Sequence, residues 1–150
     1  MTASPGRRVL GIGLLALLAL IVIYIAIASP PALGWQLFLI GIGAVSLMIA
    51  QAMWKATART LELTRTELRD DMGLVIVQLE DVASIDRGAF AFKPSNGFLL
   101  RLKQPYAREW RPGLWWRVSK RVGVGGMVPM RPTKFMAETI ALILAERDGV

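Results

Sequence analysis

Residues 9 to 54 contain no Asp, Glu, Lys or Arg. A run of that length without charge cannot form the surface of a water-soluble domain, and it constrains the chain more than any other feature. It breaks once, at Ser29-Pro30-Pro31-Ala32-Leu33-Gly34, where two prolines and a glycine oppose a continuous helix. One apolar segment is therefore expected on each side, at about residues 9–29 and 35–54. At roughly 1.5 Å per residue each covers about 30 Å, the hydrocarbon thickness of a bilayer. So short a connector implies an antiparallel helical hairpin. Tyr24, Trp35 and Trp54 fall near the segment ends, where amphipathic rings prefer the headgroup level.

The remaining residues hold all 18 basic and 11 acidic side chains, although 54% of the whole chain is hydrophobic. The chain thus divides into an N-terminal tail (1–8), a transmembrane hairpin (9–54) and a water-soluble domain (55–150). Arg7 and Arg8 precede the first segment, and Lys55 and Arg59 follow the second, with Arg65 and Arg69 further on. The connector has no basic residue, so both termini are expected on the cytoplasmic side. An alternative for the first segment is a cleaved signal peptide, with Arg7-Arg8 before an apolar run and Ala26-Ile27-Ala28 behind it. The run is longer than the roughly 7–15 residues of such a region. A twin-arginine signal is also hinted at by Gly6-Arg7-Arg8-Val9-Leu10. Neither alternative moves the soluble domain out of the cytoplasm.

Within the apolar segments Gly11, Gly13, Gly41, Gly43, Ala44, Ser46 and Ala50 would let helices approach closely, and Ser46 and Ala50 form a small-xxx-small pair. No ionisable group lies inside either segment, which argues against a transporter or channel. The chain has no His and no Cys. That removes thiolate and imidazole metal sites, Cys redox chemistry, disulfides and Ser/His/Asp catalysis.

The soluble domain reads as short strands separated by turn residues. Leu61-Glu62-Leu63-Thr64 alternates, and Asp70-Asp71-Met72-Gly73 is a turn before Leu74-Val75-Val77. The acidic pair Asp70-Asp71 reads better as that turn than as a magnesium site. Residues 83–88, Phe98 to Lys103 and Leu114 to Val124 supply further strand signals, punctuated by Gly88, Pro94 to Gly97, Pro105 and Pro112-Gly113. An antiparallel meander is expected. Thr133 is placed as the N-cap of an amphipathic helix over 134–147 that carries Met136, Ile140, Ile143 and Leu144 and stops at Gly149.

Taken together, Leu61-x-Leu63-Thr64-x-x-x-Leu68, Val82-x-x-Ile85, Gly97-Phe98-x-Leu100-x-Leu102, Val122-x-Val124 and the closing helix, behind two apolar segments, resemble the bacterial membrane-bound proteins with a pleckstrin-homology-like (PH-like) domain. The resemblance covers about residues 58–148. It implies a bent, seven-stranded barrel or sandwich with a helix at one end, and more strands between Leu74 and Gly97 than the sequence displays. It implies no enzymatic activity. Phosphoinositide-binding positions of eukaryotic relatives have no counterpart here.

The segment from Arg108 to Arg121 is the most distinctive, with three of the five tryptophans. A regular strand after Gly113 would place Leu114, Trp116, Val118, Val122 and Val124 inward and Trp115, Arg117, Ser119 and Arg121 outward. With Arg111 and Lys120, the residues Trp115, Arg117 and Arg121 then form a candidate interaction surface. Lipid headgroups, a protein partner, nucleic acid, or plain packing of Trp under Arg all suit such a row. Nucleic acid is set aside because the basic residues are dispersed among acids in a tethered domain.

The expected function is non-enzymatic: a small bacterial inner-membrane protein, accessory or assembly subunit of a larger complex, docking partners through the cytoplasmic domain. A module that binds the anionic membrane surface is the alternative. Membrane lipids and another integral membrane protein are the expected partners, with no cofactor, metal or small-molecule substrate. An enzyme using carboxylates such as Asp81 or Asp86 is a third reading.

Overall fold

The computed structural model describes residues 1–88 and 94–149. The chain forms two compact units, one from Pro5 to Lys55 and one from Met1–Ser4 together with the residues from Ala56 onward.

The first unit is a helical hairpin. Helix α1 runs Pro5–Ala28 and α2 runs Leu33–Ala56, both long and apolar enough to cross a membrane. Pro5 opens α1, a position where its missing N–H costs nothing, and Pro30 and Pro31 keep residues 29–32 out of either helix. At their basic ends both helices extend beyond the expected segments, through Arg7 and Arg8 in α1 and Lys55 in α2, which are good helix formers. Along α1, Ile12, Ala19 and Ala26 are buried at seven-residue spacing. Opposite them Gly43 is buried; a Cβ there would meet the Ile23 side chain at 2.4 Å and the Ala19 carbonyl oxygen at 3.2 Å. Gly43 and Ala50 therefore make the close approach, whereas a Cβ at Gly13 or Gly41 would stand in open space. At the far end of the pair the Gln36 amide donates to the Ala26 carbonyl (3.0 Å). At the open end Arg8 donates to the Trp54 carbonyl (2.9 Å), its guanidinium 4.0 Å from the indole centroid. Tyr24 and Trp35 are exposed.

The second unit contains two antiparallel three-stranded sheets in simple meander order. β1 (Leu61–Leu63), β2 (Glu67–Asp70) and β3 (Val75–Gln78) form one sheet. A short 3-10 turn at Leu79–Asp81 leads to the other, built from β4 (Val82–Asp86), β5 (Phe98–Arg111) and β6 (Trp115–Val124). Helix α3 (Met130–Asp148) closes the chain. One core collects side chains from both sheets and the helix, among them Leu61, Leu68, Ile76, Phe98, Leu100, Trp115, Val122 and Ile140.

The antiparallel meander and the C-terminal helix agree with the sequence reading. No barrel is closed among the described residues, and six strands are present where the resemblance implies seven. Residues 89–93, part of the stretch expected to hold more strands, lie outside the described residues. The Asp70-Asp71 pair is a turn: the Asp70 carboxylate accepts from the backbone N–H of Met72 (3.0 Å) and Leu74 (2.8 Å), and Gly73 sits at φ 83°. Asp71 faces Arg59 at 4.0 Å.

Three expectations need correction. Helix α3 starts at Met130 with Pro129 as its cap, four residues before the expected start, because Pro132 falls in the first turn where no N–H is required. The Thr133 hydroxyl instead bonds back to the Pro129 carbonyl (2.7 Å). Pro105 does not end a strand, since β5 passes through it at an irregular register where its missing N–H does no harm. The tail is also shorter than expected. Only Met1–Ser4 lies outside α1, and it belongs to the β unit. Thr2 bridges Thr60 antiparallel, the Leu61 N–H donates to the Met1 carbonyl (2.7 Å), and the Ser4 N–H donates to the Met127 carbonyl (2.8 Å).

Candidate functional surface

Arg111-Pro112-Gly113-Leu114 makes the turn between β5 and β6. The Leu114 N–H donates to the Arg111 carbonyl (3.1 Å), and Gly113 takes φ 81°, which places Pro and Gly at the two positions a type II turn favours. The register counted from this turn sets Arg111 opposite Trp115, Trp110 opposite Trp116 and Glu109 opposite Arg117. At the other end of the ribbon Val122 and Val124 pair with Leu100 and Phe98 and point into the core.

A perfectly alternating strand would then put Trp116 inside. It does not, because the ribbon is interrupted in the middle. Between the pairs Arg101 with Arg121 and Tyr106 with Ser119, β5 advances five residues while β6 advances two, and Ser119 adopts φ 53°. One residue out of phase exchanges the two faces of a strand. The turn half of β6 is therefore inverted relative to the expectation. Trp115 is 2% exposed and Arg117 8%. Both belong to the interior, and the proposed outward row of Trp115, Arg117 and Arg121 does not exist.

Arg117 is held as a structural cation. Its Nε donates to the Ala107 carbonyl (2.8 Å), and one terminal nitrogen donates to the carbonyls of Ile76 (2.6 Å) and Val75 (3.3 Å). The guanidinium lies 5.2 Å from the Tyr106 ring centroid and 5.8 Å from that of Trp115. It thereby ties β6 and β5 to β3 of the other sheet. The Tyr106 hydroxyl donates to Asp81 (2.5 Å), which also accepts from Gln104 (2.7 Å).

Burial pushes the Tyr106 phenol upward, and its hydrogen bond to Asp81 adds to the rise. The proton is thus bound more tightly in the folded state than in the unfolded chain, so this contribution to stability is complete below about pH 10 and is lost as pH rises through the folded value. Phenolate absorbance, in a chain with two tyrosines, should show one of them ionising late, and Tyr106→Phe should remove that transition.

The carboxylates proposed for chemistry have structural partners. Asp81 accepts the two bonds above, and Asp86 faces Arg101 (3.8 Å) and caps the Gly88 N–H (2.9 Å). The cleft between β1 and α3, about 540 Å³, is lined mainly by Leu61, Leu63, Phe135 and Met136 and holds a single carboxylate, Glu62.

What the ribbon does expose is a different set. Trp110 is 59% exposed beside its cross-strand partner Trp116, whose indole covers Gly123 so closely that a Cβ there would lie 2.4 Å from the ring. Val118 is exposed, as are Arg108, Lys120 and Arg121. Arg111 is exposed and pairs with Glu109 (2.9 Å). Of the five residues expected on the surface, Arg111, Lys120 and Arg121 lie there. Trp110, Trp116 and Arg108 were missed, although counting outward from Pro112-Gly113 sets the two indoles opposite each other.

The basic residues are not dispersed. Residues 98–124 hold seven basic side chains and one acid, Glu109, whereas the rest of residues 55–150 hold nine basic and ten acidic. The net positive charge of the β unit thus resides in the β5–β6 ribbon. No protein-family model, no curated protein and no solved structure matches this chain.

Proposed function

We propose that this chain is a non-catalytic accessory subunit anchored in the bacterial inner membrane, with a PH-like β unit on the cytoplasmic side that docks a partner. The observation that carries this reading is the path of the chain. It leaves the β unit at Ser4, runs through two helices that carry no charge between residues 9 and 54, and rejoins the same unit at Ala56. Two crossings return the chain to the side it left, and Arg7, Arg8, Lys55 and Arg59 at that side favour the cytoplasm. Loss of the first helix by processing would also remove Met1–Ser4, whose Ala3 is buried within the β unit.

Between residues 9 and 54 the hairpin has no Asp, Glu, His, Lys or Arg to conduct or couple anything. Its own contact uses Gly43 and Ala50, which leaves Gly41 and Ser46 in an open groove with Phe38, Ile42 and Val45, a shape that suits a further membrane helix. Extraction in mild detergent, followed by native gels and mass spectrometry of co-purifying proteins, tests the reading. The chain is expected to migrate within a larger membrane species. Migration as a lone small species at native abundance overturns it.

A further inference from the structure

We infer that the β5–β6 ribbon is a seat for the anionic surface of the chain's own membrane, formed by the Trp110–Trp116 pair and Val118 flanked by Arg108, Lys120 and Arg121. The inference rests on the reading that α1 and α2 span a bilayer.

Charge is the first argument. The ribbon carries the whole positive excess of the β unit, and among the described residues Arg108, Lys120 and Arg121 have no ion pair. At the edge of the irregular middle Arg121 sits directly across from Arg101, a like-charge pair that only the Asp86 carboxylate on the Arg101 side offsets. Asp86 forms its ion pair with Arg101 and not with Arg121.

The apolar groups that the ribbon exposes suit a bilayer surface as well. An indole with more than half its surface free, beside a second indole and an exposed valine, matches the chemistry of the headgroup region, where amphipathic rings and basic side chains are both favoured. Arg and Lys near an anionic leaflet add attraction that falls away with salt.

Tethering is the third argument. α1 begins at Pro5, immediately after the last residue of the β unit's tail, and α2 ends at Ala56, with only residues 57–60 before β1. Two tethers this short hold a small domain at the headgroups permanently, so even a weak surface affinity is exercised at high effective concentration. An acidic protein would have to compete with that surface.

The chain has no native cysteine, which allows single labels. Full-length Val118→Cys and, as a reference, Met72→Cys in the turn between β2 and β3, would each carry an environment-sensitive fluorophore in nanodiscs containing headgroup spin-labelled lipid. In phosphatidylglycerol-rich discs the label at 118 is expected to be quenched severalfold more than the label at 72. That excess should vanish in pure phosphatidylcholine, at high salt, and in the background Arg108→Gln with Lys120→Gln and Arg121→Gln. The lipid and salt comparisons use unaltered ribbon charges, so they decide the matter even if the triple variant folds poorly. Equal quenching at both positions, quenching insensitive to lipid charge, or full access of aqueous iodide to position 118 in anionic discs overturns the seat and leaves the ribbon to a protein partner. Failure of the chain to enter discs, with both labels unquenched, overturns the spanning reading itself.

Discussion

Arg117→Ala should cost about 3–5 kcal/mol of stability in the β unit, at roughly 1–1.5 kcal/mol for each of three hydrogen bonds from a charged donor. Three backbone carbonyls, at Val75, Ile76 and Ala107, accept from this one guanidinium, and the buried Ile76 carbonyl loses a 2.6 Å partner once it is gone. Arg121→Ala removes the same side chain four residues away and should change stability by no more than about 0.5 kcal/mol, because Arg121 is exposed. Thermal unfolding of the full chain in detergent, followed by near-ultraviolet circular dichroism, separates the two. Similar midpoints for the two variants would show that the half-ribbon inversion at Ser119 is wrong. Arg117→Lys is not a conservative replacement here, since one ammonium cannot reproduce bonds fanned out from Nε and a terminal nitrogen.

Trp115→Ala should likewise cost about 3–5 kcal/mol, by emptying the largest volume in the core. Its ring is also one of the two that Arg117 lies against, so the double variant with Arg117→Ala should cost less than the sum of the single changes. Trp116→Ala removes an identical side chain from the adjacent residue and should cost less than Trp115→Ala, because part of its ring stays in solvent. The same unfolding measurement applies. A reversed order, with Trp116 the costlier loss, would restore regular alternation along β6 and remove the indole pair on which the ribbon surface depends.

In the ribbon, local chemistry and tertiary pairing decide different things. Turn chemistry at Pro112-Gly113 is local, and it was sufficient to locate the hairpin and to fix which residues oppose each other near it. The side-chain phase at Val122 and Val124 is equally local, since two valines flanking glycine mark one buried face. What lies between is not local. Whether alternation persists from Val124 back to Trp115 depends on how β5 passes Pro105 and how Ser119 turns, and both depend on the partner strand. A count of twos across that gap therefore delivered the right strand with the wrong face.

Helix α3 makes the same point more mildly. Its inward stripe of Met136, Ile140 and Leu144 follows from spacing alone, and Gly149 ends it at φ 73° as a left-handed terminator. Its first turn was hidden by Pro132, which reads as a breaker in sequence yet is harmless where the helix has no N–H to satisfy. Arg147, unassigned by any motif, bonds the carbonyls of Leu79 and Val82 and so joins the helix end to the 3-10 turn.

By itself the sequence determined the two apolar helices, the break between them, the antiparallel strands and the closing helix, because each of these is set by composition, periodicity or a turn residue within a few positions. It also set the charge excess of residues 98–124, once the strand bounds were known. Tertiary structure decided the rest: that Met1–Ser4 is part of the β unit, that Gly43 and Ala50 rather than Gly41 and Ser46 make the helix contact, and that Trp115 and Arg117 are interior while Trp110 and Trp116 face out. Each of those outcomes turns on a pairing between residues distant in the chain, and a pairing of that kind leaves no periodic trace in either partner.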